Sequence, residues 1–173
     1  WGVYAETGTS TARKGRTEMW SKLGEGILPA ELVLTVIAGD FNFVEKDRDR
    51  YDTKQKRYSG NKDKVEADRF KHKVLDKGLA ELEQESPTFQ GNFTGNATIL
   101  SKLDRAYTSI PTAWLHRYDC FCDPLPPPKR RRREDALGKP CGPEHNLTDH
   151  LPLRFGMKLL DTADKPLQGL PPL

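Results

Sequence analysis

The chain has 173 residues, 35% of them hydrophobic and 31% charged, with a formal net charge of +3. That length holds one domain with a real core, or a large piece of a bigger one. The composition excludes a wholly disordered chain, no apolar run is long enough to span a bilayer, and three cysteines are too few for a disulfide scaffold.

In chain order, "GVYAE" (2–6) reads as the end of a strand. Thr9 or Ser10 then caps a helix through about Ile27, with Trp20, Leu23 and Ile27 on one face. "ELVLTVIAG" (31–39), continuous, aliphatic and rich in β-branched residues, predicts a strand buried on both faces. The stretch 45–61 has no apolar period and predicts a loop. Asp63 to about Lys77 predicts a helix through Val65, Phe70, Val74 and Leu75, which Gly78 ends. "SPTFQGNFTG" and "ILSKLDRAYTSI" read as two short strands separated by Gly-Asn, and "HRYDCFCD" alternates as another. Residues 124–146, proline-rich, then basic, then broken by glycine and proline, predict an exposed insertion. "DHLPLRFGMKL" returns to alternation through Leu151, Leu153 and Phe155, and 160–173 reads as a proline-rich linker. Strands interleaved with helices predict a mixed α/β chain with largely antiparallel pairing.

Charge is unevenly spread. Between Glu45 and Lys73 there are eleven basic and seven acidic residues, and Lys129, Arg130, Arg131, Arg132 and Arg133 form a wholly basic run. Such a run suits a solvated loop, a nuclear-localisation patch or a clamp on a polyanion backbone. Cys120, Cys122 and Cys141 lack a fourth ligand at zinc-finger spacing and read as reduced intracellular thiols, and the sequons at Asn92, Asn96 and Asn146 would matter only in a secreted protein.

Three polar clusters stand within or just beyond apolar strands: Gly39-Asp40-Phe41-Asn42, Ser101-Lys102-Leu103-Asp104-Arg105, and Thr148-Asp149-His150-Leu151-Pro152-Leu153. Taken singly these are a turn, a surface ion pair, and a cap or a satisfied histidine before a strand. Taken together they offer three carboxylates, an amide and an imidazole, an inventory suited to metal-assisted phosphodiester hydrolysis. Carboxylate oxygens hold a hard cation such as Mg²⁺ or deprotonate water, an oriented histidine assists at the phosphate, and an amide donates to a phosphate oxygen without adding charge.

"GDFN", "SKLDRAYTS" and "TDHLPL", in this order, resemble the last three signature blocks of the endonuclease/exonuclease/phosphatase superfamily, the DNase I-like fold. "VYA" followed by a helix bearing Arg16 and Trp20 resembles the block before them. The "LDRAYTS" and "DHLPL" flavour is similar to the apurinic-endonuclease-like domains of non-LTR retroelements. The resemblance covers about residues 2–159. It implies the C-terminal portion of a four-layer β-sandwich flanked by helices, with the basic insertion at 124–146.

By the same resemblance Asp40 activates water, Asn42 and Tyr4 contact the scissile phosphate, Asp104 orients His150, and His150 is the catalytic imidazole. Asp149 contributes to a Mg²⁺ or Mn²⁺ site, and Lys129 to Arg133 are candidate contacts to the DNA backbone. DNA is the implied substrate, a downstream reverse transcriptase domain the implied partner in one polyprotein, and the nucleus the implied location, with no membrane association. A phosphoinositide or other phosphomonoester phosphatase of the same superfamily, and a catalytically dead nucleic-acid-binding relic, are the alternatives.

The sequence departs from the family pattern in places. Glu6 and Thr7 follow Tyr4-Ala5 where the family continues Pro-Asn, Thr148 replaces a Ser, and the block before "SKLD" lacks its usual Trp. No block here matches the family's N-terminal Asn and principal metal-binding Glu, so the expectation is a chain that is inactive or poorly folded alone.

Overall fold

The structure, a computed structural model, describes residues 1–6, 10–93, 97–126, 133–134, 140–141 and 150–158. In chain order the elements are β1 (Gly2–Tyr4), α1 (Ser10–Gly26), β2 (Val36–Asp40), β3 (Arg50–Asp52), β4 (Arg57–Tyr58), α2 (Lys64–Lys73), β5 (Ala80–Glu81), β6 (Phe89–Phe93), β7 (Ala97–Ser101), β8 (Asp104–Thr108), α3 (Thr112–Arg117), β9 (Cys120–Pro124), β10 (Arg133–Glu134), β11 (Pro140–Cys141) and β12 (Leu153–Met157). They form one four-stranded sheet in the order β1-β2-β8-β5, a second in the order β4-β3-β7-β6, and the pairs β9–β12 and β10–β11. The fold is thus mixed α and β, the class the sequence predicts. No helix among the described residues is long and apolar enough to cross a membrane.

Alternation along β2 and β8 sets the layers. Ile37 and Tyr107 point to one face, where they join Trp20, Phe41, Phe43, Phe70 and Val74 beneath α1 and α2. Trp20 stacks on Phe41 with ring centroids 5.8 Å apart and meets Phe70 edge-on at 4.9 Å. Such aromatic pairs add to the area term and fix the helices in place. Ala38 and Ala106 point to the other face, against Leu82, Leu115, Cys122 and Leu153, so the β9–β12 pair covers that side. Side chains two apart on a strand share a face. Asp40 and Asp104, two residues from Ala38 and Ala106, therefore emerge on the β9–β12 side.

Gly39 and Gly78 take positive φ. Gly39 sits at φ +146, and a Cβ there would come within 1.9 Å of the Val3 carbonyl oxygen. Only glycine lets β1 approach β2 in the parallel register Val3↔Gly39 and Tyr4↔Asp40. Gly78, at φ 89, closes the turn after α2, as its position in the sequence predicts.

Four expectations change. The aliphatic run is a strand only from Val36, and Leu32, Val33 and Leu34 are exposed; the Pro29 carbonyl accepts from the N–H groups of Leu32 and Val33 and winds that part into a turn. The supposed loop at 45–61 contains the β3–β4 hairpin, in which Tyr51 pairs with Tyr58. The run 99–110 breaks into β7 and β8, because Lys102 and Leu103 carry the chain from the second sheet to the first, Lys102 N–H donating to Asp49 and Leu103 accepting from Phe41 N–H. The strand expected over 116–123 begins only at Cys120, because His116 and Arg117 end the short helix α3. The linker 160–173 and most of the insertion 124–146 lie outside the described residues.

A buried ionic cluster braces the same region. Arg105 has no exposed surface, and its guanidinium lies 2.7 Å from Asp49 and 3.0 Å from Glu81. Lys102 adds a second cation 2.9 Å from Glu81. Burial pushes the Glu81 carboxyl up, but Arg105 and Lys102 overcome it and leave it below its ordinary value.

Candidate functional site

The β2–β8 ladder places Asp40 directly opposite Asp104. Two carboxylates at one position of a sheet repel. The third member of the group relieves this: His150, just before β12, puts Nδ1 2.8 Å from Asp104 Oδ2 and Nε2 3.8 Å from Asp40 Oδ2. A carboxylate only accepts, so Nδ1 carries the proton and Nε2 faces Asp40. This is the arrangement in which an acid fixes the tautomer of a histidine and turns its second nitrogen toward a reacting group. The imidazole leans on the ring of Phe89, with centroids 5.0 Å apart.

Asn42 completes the cluster. Its φ of 51 is left-handed, a conformation that Asn tolerates better than most residues. That bend lets its backbone N–H donate to Asp40 Oδ1 at 2.9 Å and its amide donate to Asp40 Oδ2 at 2.8 Å. The amide also donates to the Ala5 carbonyl oxygen, so both of its hydrogens are engaged. Burial raises the Asp40 carboxyl, the Asn42 backbone N–H opposes that rise, and the Asp104 charge adds to it, leaving Asp40 above its ordinary value. A carboxylate raised in this way is a better proton acceptor than a solvated one.

The other expected residues are distributed as follows. Tyr4 pairs in register with Asp40 and, since Val3 packs on the helix side, shares the face of Asp40, with 74% of its surface exposed. Asp149, Lys129, Arg130, Arg131 and Arg132 lie outside the described residues. Arg133 is described only as backbone, in β10. Arg16, from the block that precedes "GDFN", is buried and donates to the Glu6 carbonyl oxygen and to Glu66, which anchors the loop whose Ala5 receives Asn42.

Sequence reasoning passed over the residues that hold this group in place. Gln84 donates to the Asp104 carbonyl oxygen at 3.0 Å and accepts from the Cys122 thiol. Thr88 accepts from the N–H groups of Leu103 and Asp104. "PTF" within a run of strand character gave no sign of this, because the contacts are made across 15 or more residues.

Ligand atoms of Asp40, Asp104 and His150 lie within 4.8 Å of one another, so the cluster has the donor types and spacing to hold a metal ion. A cavity of about 340 Å³ lined by Gly39, Asp104, His150, Leu151 and Leu153 opens beside the cluster.

No family model matches the sequence, and no curated protein matches it. Among solved structures the chain is similar to the endonuclease domain of TRAS1, a telomere-specific non-LTR retrotransposon. The TM-score is 0.41 and the identity 16%, over 92% of this chain and 56% of that domain. A likeness of that size defines neither activity nor substrate.

Proposed function

We propose that the chain carries part of a metal-assisted phosphodiester hydrolase of the DNA endonuclease kind, built as the C-terminal portion of a four-layer DNase I-like sandwich. What supports this reading is the convergence of Asp40, Asn42, Asp104 and His150, from three sequence blocks that each resemble that superfamily, on one face of one sheet. Asp40, its carboxyl raised by burial and its position held by Asn42, takes the proton of an attacking water. The oxygen of that water adds to phosphorus as the opposite P–O bond breaks, and the leaving oxygen carries off the bonding pair and takes a proton from solvent. His150, fixed through Nδ1 by Asp104, turns Nε2 toward the phosphate, where a proton taken up on Nε2 would be donated to a phosphoryl oxygen. Asn42 meets the phosphate by exchanging its bond to Ala5, and Tyr4 lies on the neighbouring strand of the same face.

Mg²⁺ or Mn²⁺ would be held by Asp40, Asp104 and His150, with Asp149 as the further ligand that the sequence resemblance implies, and would neutralise charge developing on the phosphate. Lys129 to Arg133 are proposed to contact the DNA backbone, and neutralising all five should weaken binding and flatten its salt dependence. A reverse transcriptase in the same polyprotein and residence in the nucleus belong to the same reading and rest on the sequence resemblance.

The test is Mg²⁺-dependent nicking of supercoiled DNA by a longer protein that joins this chain to a segment supplying the family's metal-binding Glu. His150→Gln should lower the rate about 10²–10⁴-fold, and Asp104→Asn should lower it comparably. Nicking that is unchanged in both variants contradicts the reading.

A further inference from the structure

We infer that Thr88 is the positioning residue of the Asp104–His150 pair. Its side chain has no exposed surface and lies at the crossing from the second sheet to the first. A hydroxyl oxygen has two lone pairs. Here both meet backbone N–H groups, Leu103 at 3.1 Å and Asp104 at 2.9 Å, and so fix where β8 begins and where the Asp104 side chain leaves the sheet. The Thr88 carbonyl oxygen accepts from Leu151 N–H at 2.6 Å, the residue after His150. Phe89, next in the chain, forms a backbone bridge with His150 and packs against its ring. One short segment therefore grips both members of the pair, Asp104 through the Thr88 side chain and His150 through its backbone and the Phe89 ring. Thr88 N–H is tied to Ser101 at 3.0 Å, so the grip is anchored in β7.

The contact from Asp104 to His150 spans 46 residues, and β8 and β12 do not pair with each other in a sheet. Their relative position depends on intermediaries, and Thr88 joins the two directly. Thr88 touches no reacting atom and acts through Asp104 and His150. As a statement about catalysis the inference rests on the function proposed above.

The test reads geometry rather than turnover. Ring ¹⁵N shifts of His150 report which nitrogen carries the proton, and the wild-type chain should show the Nδ1–H form. Thr88→Val keeps the shape but removes the acceptor, while Thr88→Ala removes it and leaves space. Both should shift His150 toward a mixture of the two tautomers, whereas Thr88→Ser should keep the wild-type form. If Val at this position disrupts the fold, Ala carries the test. Retention of the Nδ1–H form in a folded hydroxyl-free variant, its loss in Thr88→Ser, or its absence from the wild type overturns the inference. A wild-type chain with the expected tautomer pattern in a protein that cleaves no DNA would defeat the phosphodiesterase reading and leave Thr88's role standing.

Discussion

Asp40 and Asp104 face each other across the β2–β8 ladder, and His150 bridges them, 2.8 Å from one carboxylate and 3.8 Å from the other. Burial, opposed by Asn42 and reinforced by Asp104, leaves the Asp40 carboxyl above its ordinary value of 3.8. Between that value and the raised one the folded state holds the proton that the unfolded state has lost. Stability from this group therefore falls as pH rises through the window. Asp40→Asn should remove that fall, so urea midpoints of the variant should gain on the wild type as pH rises above 3.8. Parallel curves would contradict it.

Glu81 should behave with the opposite sign. Burial raises its carboxyl, but Arg105 and Lys102 bring it below the ordinary value of 4.5. Its contribution is present above 4.5 and is lost as pH falls through the lowered value. Glu81→Gln should therefore be less stable than wild type at neutral pH, with the difference shrinking in acid. A difference independent of pH would show that the ion cluster is not its origin.

Arg105 holds Asp49 and Glu81 together without any exposed surface of its own. Arg105→Met leaves those carboxylates buried without their main cation and should cost about 3–5 kcal/mol of stability. Denaturant unfolding measures it. The loss should exceed that of Arg48→Met, whose side chain is 66% exposed and 3.9 Å from Glu83.

Gly39→Ala drives a Cβ into the Val3 carbonyl and forces alanine to a φ of +146. The strain alone costs about 1–3 kcal/mol, and the clash with backbone adds to it. The variant should lose stability and, because Tyr4 and Ala5 follow Val3, should also loosen the Asn42 contact to Ala5. Amide exchange along Gly2–Tyr4 faster than wild type would show it, and unchanged protection there would contradict it.

That Asp40, Asn42, Asp104 and His150 would come together was expected from the family resemblance of their three blocks, and strand alternation in the fold sets the face that Asp40 and Asp104 take. "VIAGDFN" predicts a buried strand that delivers Asp40 and Asn42, and in the fold Asp40 is the last residue of β2 with Asn42 just past it. The pairing of Asp104 with His150 came from the family resemblance, since nothing local to either residue announces a contact across 46 positions. The parts that were not legible are tertiary. Leu32, Val33 and Leu34 have strand propensity, but the Pro29 turn keeps them out of the sheet. The hairpin at 50–58 is polar on its surface and draws its order from β7, which periodicity cannot reveal. Arg105 reads as a surface ion pair beside Asp104, and only packing makes it the buried centre of a charge cluster.

The central claim, that Asp40, Asp104 and His150 form a cation and phosphodiester site, is tested most directly by Mn²⁺ titration of the ¹⁵N-labelled chain. Paramagnetic broadening should begin at Asp40, Asn42, Asp104 and His150, and Asp40→Asn should move its onset to higher Mn²⁺ while the rest of the spectrum stays in place. Broadening that starts instead at exposed acidic positions such as Glu83 and Glu85, with the four site residues sharp, would contradict the account.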